Sequence, residues 1–457
     1  MSDFPKPLAR ADATAQLEAL AGGAISAKAL LAEHLEAIAR RDAALGCFWH
    51  LDPEGAMRQA EEADQRRLAG EARPLEGLFL AVKDNIDVRG MPTTAGMATR
   101  RGRIAADDAE VVRRLRAAGA IILGKLSMHE AALGADNDNP HFGRCHNPHR
   151  LGYTPGGSSG GSGAAVAAGL VPIALGTDSM GSVRIPGAYC GVFALKPSLG
   201  LVSTRGVVPV SARLDTVGWL ARSARDLRLF LPILAGFDPS CPSSREIPLA
   251  AVAPPERLLA LHPQGDCEPK VREAFARALA ACRSIAARIA EEALPDGEKL
   301  ARWRRAGLLL CEAEMLNVHE QDWRERPDLF SDRLRSMLRF AEARSAAELA
   351  RALLRIDEAR CFLFERLAEA EALIMPTTPQ RAFAFGAPVP ADQADYTCLA
   401  SLAGCPALQV PIAMEAGELP AGVQLIGRPG SEAHLIALAE ALASAFEPSI
   451  HAIEPVP

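Results

Sequence analysis

Five serines stand in two runs of small residues: Ser158, Ser159 and Ser162 in "YTPGGSSGGSGAAVAAG" (153–169), and Ser179 and Ser182 in "GTDSMGSVRIPGAYCG" (176–191). A serine hydroxyl attacks a carbonyl only when a base takes its proton in the transition state. The glycine run is open to four readings. A phosphate loop would carry a lysine after its last glycine, but the next lysine downstream is Lys196. A dinucleotide fingerprint fails as well, because Gly161 and Gly163 are followed by Val166 where the third glycine belongs. A nucleophile elbow, G-x-S-x-G, matches Gly157 to Gly161 around Ser159 and calls for an acid and then a histidine downstream; Asp215 with His262 or His319 would serve. A plain turn without chemistry is the fourth.

The second run again consists of small residues after an apolar segment, so several backbone N–H groups can point into one cavity just before Ser182. Preorganised donors of that kind stabilise the oxyanion of a tetrahedral intermediate. Asp178 and Arg184 flank Ser182 and can pair to hold the loop. Further upstream, His141, Cys145, His146 and His149 in "HFGRCHNPH" are zinc-ligand types. Gly143 and Pro148 make that stretch an irregular loop, and no metal is expected there.

The elements that must position these residues alternate between strand and helix. Ser26 caps the helix "AKALLAEHLEAIARR", and a second helix runs from Pro53 to Leu68. "LFLAVK" reads as a short buried strand. "DAEVVRRLRAAGAIILGK" is a helix closed by Gly119 and followed by a strand, and "GAAVAAGLVPIALGTD" repeats that order. Such alternation predicts an α/β fold with a mixed, largely parallel sheet. From about 255 to 370 the stripe Val271, Phe275, Leu279, Cys282, Ile285 and Ile289 predicts a helical layer or cap. "PALQVPIAME" and "LPAGVQLIGRPG" then give two strands, and "EAHLIALAEALASAF" a closing helix.

Composition excludes several classes. Hydrophobic residues are 49% and charged residues 23% of 457, as in a soluble globular protein. A net charge of −6 gives no attraction to nucleic acid or an anionic membrane. No apolar run reaches the roughly 20 residues of a membrane span, and the N-terminus lacks the basic-then-apolar pattern of a secretory leader. Ten cysteines without a Cys-x-x-Cys pair read as buried thiols of a reducing compartment, so a cytoplasmic location is expected.

With "AVKDNIDVRG" upstream and "LAGCPALQVPIAME…LPAGVQLIGRP" near the end, the run "PGGSSGGSGAAVAAG…GTDSMGSVRIPGAYCGVFALKPS" closely resembles the amidase signature family of serine hydrolases. The resemblance spans about residues 20–450 and implies a Ser–cis-Ser–Lys set. Ser182 would be the nucleophile, Ser158 the bridging serine behind a cis peptide from Gly157, and Lys83 the base. Lys83 can act only when neutral, which burial favours, and it follows the apolar "LFLAV". The resemblance further implies an oxyanion hole of the Ser179, Met180 and Gly181 amides, with Gly157, Ser159, Asp178 and Arg184 in support. It places Ala131 and Ala132 of "SMHEAALG" in the acyl pocket, beside Met180 and Ile185. His129 and Glu130 could meet a polar substrate, though packing suits them better.

Two positions depart from the pattern. Met180 stands where the family has glycine, and Ile185 stands where the A subunit of tRNA-dependent amidotransferases carries glutamine. The expectation is therefore one α/β/α amidase domain over 1–457: a catalytic core at 70–250, the helical layer at 255–370 and completing strands at 371–457. It would cleave a small carboxamide without a cofactor, as a homodimer of the kind common in the family. The alternatives are an A-type component of an amidotransferase and a hydrolase of urea-derived amides such as a carboxybiuret-type compound.

Overall fold

In strand β2 (Phe79–Lys83) every side chain is buried, although successive side chains leave the backbone on opposite sides. Phe79 and Ala81 join one apolar cluster, while Leu80 and Val82 join another. A strand with two apolar faces needs helices on both, and the computed structural model, which describes residues 7–446 apart from 413 and 416, supplies them. One face is covered by α4 (Glu110–Ala117), α7 (Ala224–Leu234), α8 (Pro269–Cys282) and α14 (Glu432–Ala445), through Val111, Phe230, Phe275 and Leu435. The other is covered by α2 (Ala27–Leu45), α3 (Pro53–Leu68) and α5 (Gly160–Ala167) at one end. At its far end lie α9 (Gly297–Val318), α11 (Asp332–Glu342), α12 (Ala346–Glu369) and α13 (Thr397–Leu402). Of the remaining described helices, α1 (Ala13–Ala21) packs on α7, α6 (Arg184–Cys190) on α5, and α10 (Glu320–Glu325) follows α9. No described helix is long and apolar enough to cross a membrane.

Among the described residues eleven strands form one sheet in the order β1-β3-β2-β6-β8-β7-β12-β13-β11-β9-β10. Its left part is β1 (Phe48–Leu51), β3 (Ile121–Leu126), β2 and β6 (Ile173–Asp178). Next come β8 (Thr216–Ala221), β7 (Phe193–Lys196), β12 (Ala407–Ile412) and β13 (Ala421–Gly427), then β11 (Ala372–Pro376), β9 (Arg257–His262) and β10 (Arg288–Ala293). A two-stranded ribbon, β4 (Asp138–Asn139) with β5 (Gly143–Arg144), lies apart.

The sheet is mixed as expected, but it is not largely parallel. Parallel pairing holds β3, β2 and β6 on one flank and β11, β9 and β10 on the other, while the middle is antiparallel. The reason is that β8 inserts between β6 and β7 and runs against both, with Ala221 opposite Ile173 on one side and Phe193 on the other. Joined by a short connection, β12 and β13 can pair only as an antiparallel hairpin.

The expected helical layer at 255–370 is also corrected, because besides its helices it contributes two strands, β9 and the edge strand β10. The apolar stripe from Val271 crosses a real break. Helix α8 ends at Cys282 and Ile289 lies in β10, yet both residues pack on the same cluster, which keeps the period looking helical.

Because β2 and β6 are parallel neighbours, with Ala81 beside Ala174, their C-terminal ends emerge at the same edge of the sheet. Open α/β sheets place their sites at such ends. Trp219 of β8, fully buried at the centre, donates from Nε1 to the Leu227 carbonyl at 3.3 Å. We expect Trp219→Ala to lose about 3–5 kcal/mol of stability in a urea titration, and an unchanged midpoint would contradict its central position.

Candidate active site

Residues 79, 81 and 83 share the face of β2 that α5 covers, so Lys83 meets the segment entering α5. The Lys83 side chain is fully buried. Its Nζ lies 2.7 Å from Ser158 Oγ and 2.8 Å from Thr177 Oγ1, and it contacts no carboxylate among the described residues. Burial lowers its pKa to about 7, against the more distant pull of Asp215 and Asp178. Asn85 Nδ2 donates to the same Thr177 hydroxyl at 3.1 Å. Thr177 and Asn85 both lie inside the quoted motifs, but their residue types alone mark no role for them.

The glycines let backbones close on one another around Ser158. A Cβ on Gly157 would lie 2.9 Å from the Ala135 backbone, and one on Gly161 2.6 Å from the Ser127 carbonyl oxygen. The Gly157–Ser158 peptide is cis, and the Ser158 carbonyl accepts from the His129 amide at 3.1 Å. Ser159 ties the run to the second loop: its amide donates to the Ser182 carbonyl at 3.1 Å and its hydroxyl to the Thr177 carbonyl at 3.2 Å. That use of Ser159, whose hydroxyl meets no histidine ring among the described residues, disposes of the elbow reading. Of that reading's other members, His262 of β9 pairs with Glu291 of β10, and Asp215 accepts from Ser179.

Asp178 staples the loop that carries Ser182. Its carboxylate accepts from the Gly181 amide at 2.6 Å and the Val183 amide at 3.2 Å, and it meets Arg184 twice at 3.0 Å. Burial opposes the Asp178 charge, but Arg184 outweighs it and holds the carboxyl below its ordinary pKa. Arg184, also fully buried, donates onward to the Thr397 carbonyl, Gln424 and Ser401. Asp215 accepts from Ser179 Oγ and from the Val210 and Ser211 amides, and burial pushes its pKa up to about 6.

One expectation about the oxyanion donors changes here. The Gly181 N–H is committed to Asp178, whereas the amides of Ser179, Met180 and Ser182 meet no protein acceptor among the described residues. Gly181 adopts φ +135°, and a Cβ on it would sit 2.2 Å from Thr397 Oγ1, so glycine is required. Met180, by contrast, fits where the family has glycine: its carbonyl accepts from Thr397 Oγ1 at 2.8 Å and its side chain abuts Gly307 of α9.

Ser182 Oγ makes no hydrogen bond to a described protein group and borders a cavity of about 520 Å³. Ala132, Met180 and Ile185 line that cavity; Ala131, though buried beside it, does not. Val210, Leu308 and Met337 complete much of the apolar wall, and no sequence signal marked them. His129 pairs with Asp136 at 2.8 Å, and Glu130 with His141 at 2.9 Å, so both serve the scaffold. His149 bonds the Cys190 carbonyl and His146 the Gly152 amide.

Breaking a buried ion pair leaves an uncompensated charge at a cost of about 3–5 kcal/mol. Arg184→Met is expected to destabilise by that much in denaturant titration, while the exposed Arg324→Ala stays within about 1 kcal/mol. Equal small losses for both variants would show that Asp178 is not held this way.

The family model described as "Amidase" matches residues 29–436. The chain is 37% identical to the A subunit of glutamyl-tRNA(Gln) amidotransferase from Anaeromyxobacter sp. (strain K), over 97% of each chain. It is 35% identical to the corresponding protein of Cupriavidus taiwanensis, over 94% of this chain and 95% of that one. Among solved structures it superposes with TM-score 0.87 and 32% identity on a protein from a vestigial complex that reveals the origins of an s-triazine catabolic enzyme, covering 95% of this chain and 98% of that one. It superposes with TM-score 0.85 and 26% identity on 6-aminohexanoate cyclic dimer hydrolase, covering 98% and 99%. Motifs, fold and comparisons agree: the chain belongs to the amidase signature family of enzymes acting on amide C–N bonds.

Proposed function

We propose that the protein hydrolyses a small carboxamide to a carboxylate and ammonia or amine, through an acyl-enzyme on Ser182. The observation that supports this most is the buried Lys83 amine, 2.7 Å from Ser158 Oγ and in contact with no carboxylate among the described residues, beside the cavity that Ser182 borders. With substrate bound, Ser182 Oγ closes to hydrogen-bond distance of Ser158 and forms a bond to the carbonyl carbon while its proton passes to Ser158, whose own proton passes to Lys83 Nζ. The amides of Ser179, Met180 and Ser182 receive the oxyanion, a preorganised arrangement that needs no rearrangement as charge develops. The C–N bond then breaks as Lys83, through Ser158, returns the proton to the leaving nitrogen. Water repeats the sequence on the ester and frees Ser182. No cofactor takes part in these steps.

A second reading puts the same chemistry inside an amidotransferase, with this chain as the ammonia-releasing component. Full-length identity of 35–37% to the A subunits of such enzymes favours it, and it weighs more than any comparison with a free-standing hydrolase. The apolar cavity with Ile185 in its wall weighs for the free-standing enzyme. Ammonia release by the purified chain from aryl, alkyl or urea-type amides would decide for the hydrolase. Activity only with co-purifying subunits and charged tRNA would decide for the amidotransferase.

Ser182→Ala and Lys83→Met are expected to lower kcat by about 1,000-fold or more, since either change removes the activated nucleophile. Lys83→Arg should not rescue, because a guanidinium stays charged. With the Lys83 pKa near 7 and the neutral amine as the active form, kcat/KM should level off above that pH and fall about tenfold per unit below it. A limb that survives in Lys83→Met, or wild-type turnover in either variant, would contradict these roles.

A further inference from the structure

The charged groups around the Ser182 cavity are distributed unevenly. Among the described residues two arginines line it, Arg304 from α9 and Arg333 from α11, and no aspartate or glutamate does. Their carboxylate partners stand behind the wall: Arg304 Nε meets Asp395, and Arg333 Nη1 meets Asp136 at 2.6 Å. Arg304 is the more enclosed of the two, with its side chain 18% exposed against 45% for Arg333. Only its Nε is used; the terminal nitrogens Nη1 and Nη2 have no protein acceptor among the described residues. The rest of the wall is chiefly apolar, with Met180, Ile185, Val210, Leu308 and Met337.

A guanidinium presents paired N–H donors that match a carboxylate in plane. In a mostly apolar cavity, two terminal nitrogens with free N–H groups on a partly desolvated cation are a strong selector for an anion, because water screens the attraction poorly there. Asp395 offsets the charge through Nε without occupying the terminal nitrogens. Helix α9 holds Arg304 in place, since Gly307 one turn on abuts the Met180 side chain of the oxyanion loop. Packing of α9 on that loop ties the helix that carries Arg304 to the segment that carries Ser182, and Asp395 holds the guanidinium through Nε.

From this arrangement we infer that the substrate is an acid amide: a scissile carboxamide at Ser182, an apolar spacer, and a remote carboxylate that Arg304 binds. The inference deepens the hydrolytic reading of the same site and rests on it. Arg304 is a specificity-determining residue, recognising the end of the substrate that does not react. The same lining offers no carboxylate to an ammonium group, so an acid amide without an α-amino group suits it better than an amino-acid amide.

The test uses monoamides of straight-chain dicarboxylic acids from succinate to adipate, each against the neutral straight-chain amide of equal heavy-atom count, with ammonia release as the readout. For wild type we expect one spacer length at which the acid amide exceeds its neutral counterpart at least tenfold in kcat/KM. In Arg304→Gln that ratio should fall towards one, with the loss mainly in KM, and Arg304→Lys should recover part of it. Arg302→Gln, exposed on the same helix, should leave the ratio unchanged. Calorimetric binding of glutarate and adipate to wild type and Arg304→Gln gives a readout independent of turnover: binding that depends on Arg304 is expected. Equal turnover of acid and neutral amides by wild type, or dicarboxylate binding unaffected by Arg304→Gln, overturns the inference and leaves hydrolysis standing. Binding that depends on Arg304 without turnover of any amide upholds Arg304 as the carboxylate-binding residue, and removes the hydrolytic reading and with it the acid amide as a substrate.

Discussion

Taking the Lys83 ammonium group out of water, with no carboxylate of the described residues against it, raises the free energy of its charged form, and the surrounding groups are arranged to accept the neutral amine. Ser158 and Thr177 offer hydroxyls at 2.7 and 2.8 Å, and a hydroxyl can either donate to or accept from an amine. Asn85 adds a donor to Thr177, which orients that hydroxyl. The nearest acids, Asp178 and Asp215, are occupied with the Ser182 loop: one holds amides and Arg184, the other holds Ser179. A carboxylate in contact with Lys83 would stabilise the cation and, on the proposed mechanism, leave the serines without a base.

That constraint explains why distant parts of the chain converge on the site. Lys83 comes from a parallel flank of the sheet, and the serines from the glycine run and the following crossover. The loop carrying Ser182 is braced from the C-terminal third, where Thr397, Ser401 and Gln424 receive or contact Arg184. A buried arginine has five donors to satisfy, and only a fold that brings α13 and β13 beside α6 can satisfy them. Helix α9 then closes the cavity over Met180. The site and the core are one construction.

Much of this was legible in the sequence, for physical reasons. Lys83, Ser158 and Ser182 lie in short contiguous motifs whose neighbours also set the local backbone, so residue type and geometry are read together. Strands such as β2 and β6 announce themselves by apolar runs, and α2 by its Ser26 cap. Strand order was not legible, because insertion of β8 between β6 and β7 leaves no local trace and antiparallel pairing in the middle depends on it. The break between α8 and β10 was hidden because Cys282 and Ile289 face the same cluster at a helical spacing. The cavity walls from α9 and α11 were invisible for a related reason: a helical period tells which face is buried, never that Arg304 ends beside a serine loop far away in the chain. The commitment of the Gly181 amide to Asp178 is a matter of three-dimensional geometry that residue types alone do not reveal.

The site works as proposed only if the Lys83 amine is largely neutral near physiological pH, and its titration can be observed directly. In protein labelled with ¹⁵N-lysine, the Nζ resonance missing from Lys83→Met identifies the residue, and its shift is followed from pH 5 to pH 11. A transition near 7 is the result this account requires. A Lys83 that stays protonated to pH 10, as an ordinary solvated lysine does, would contradict it.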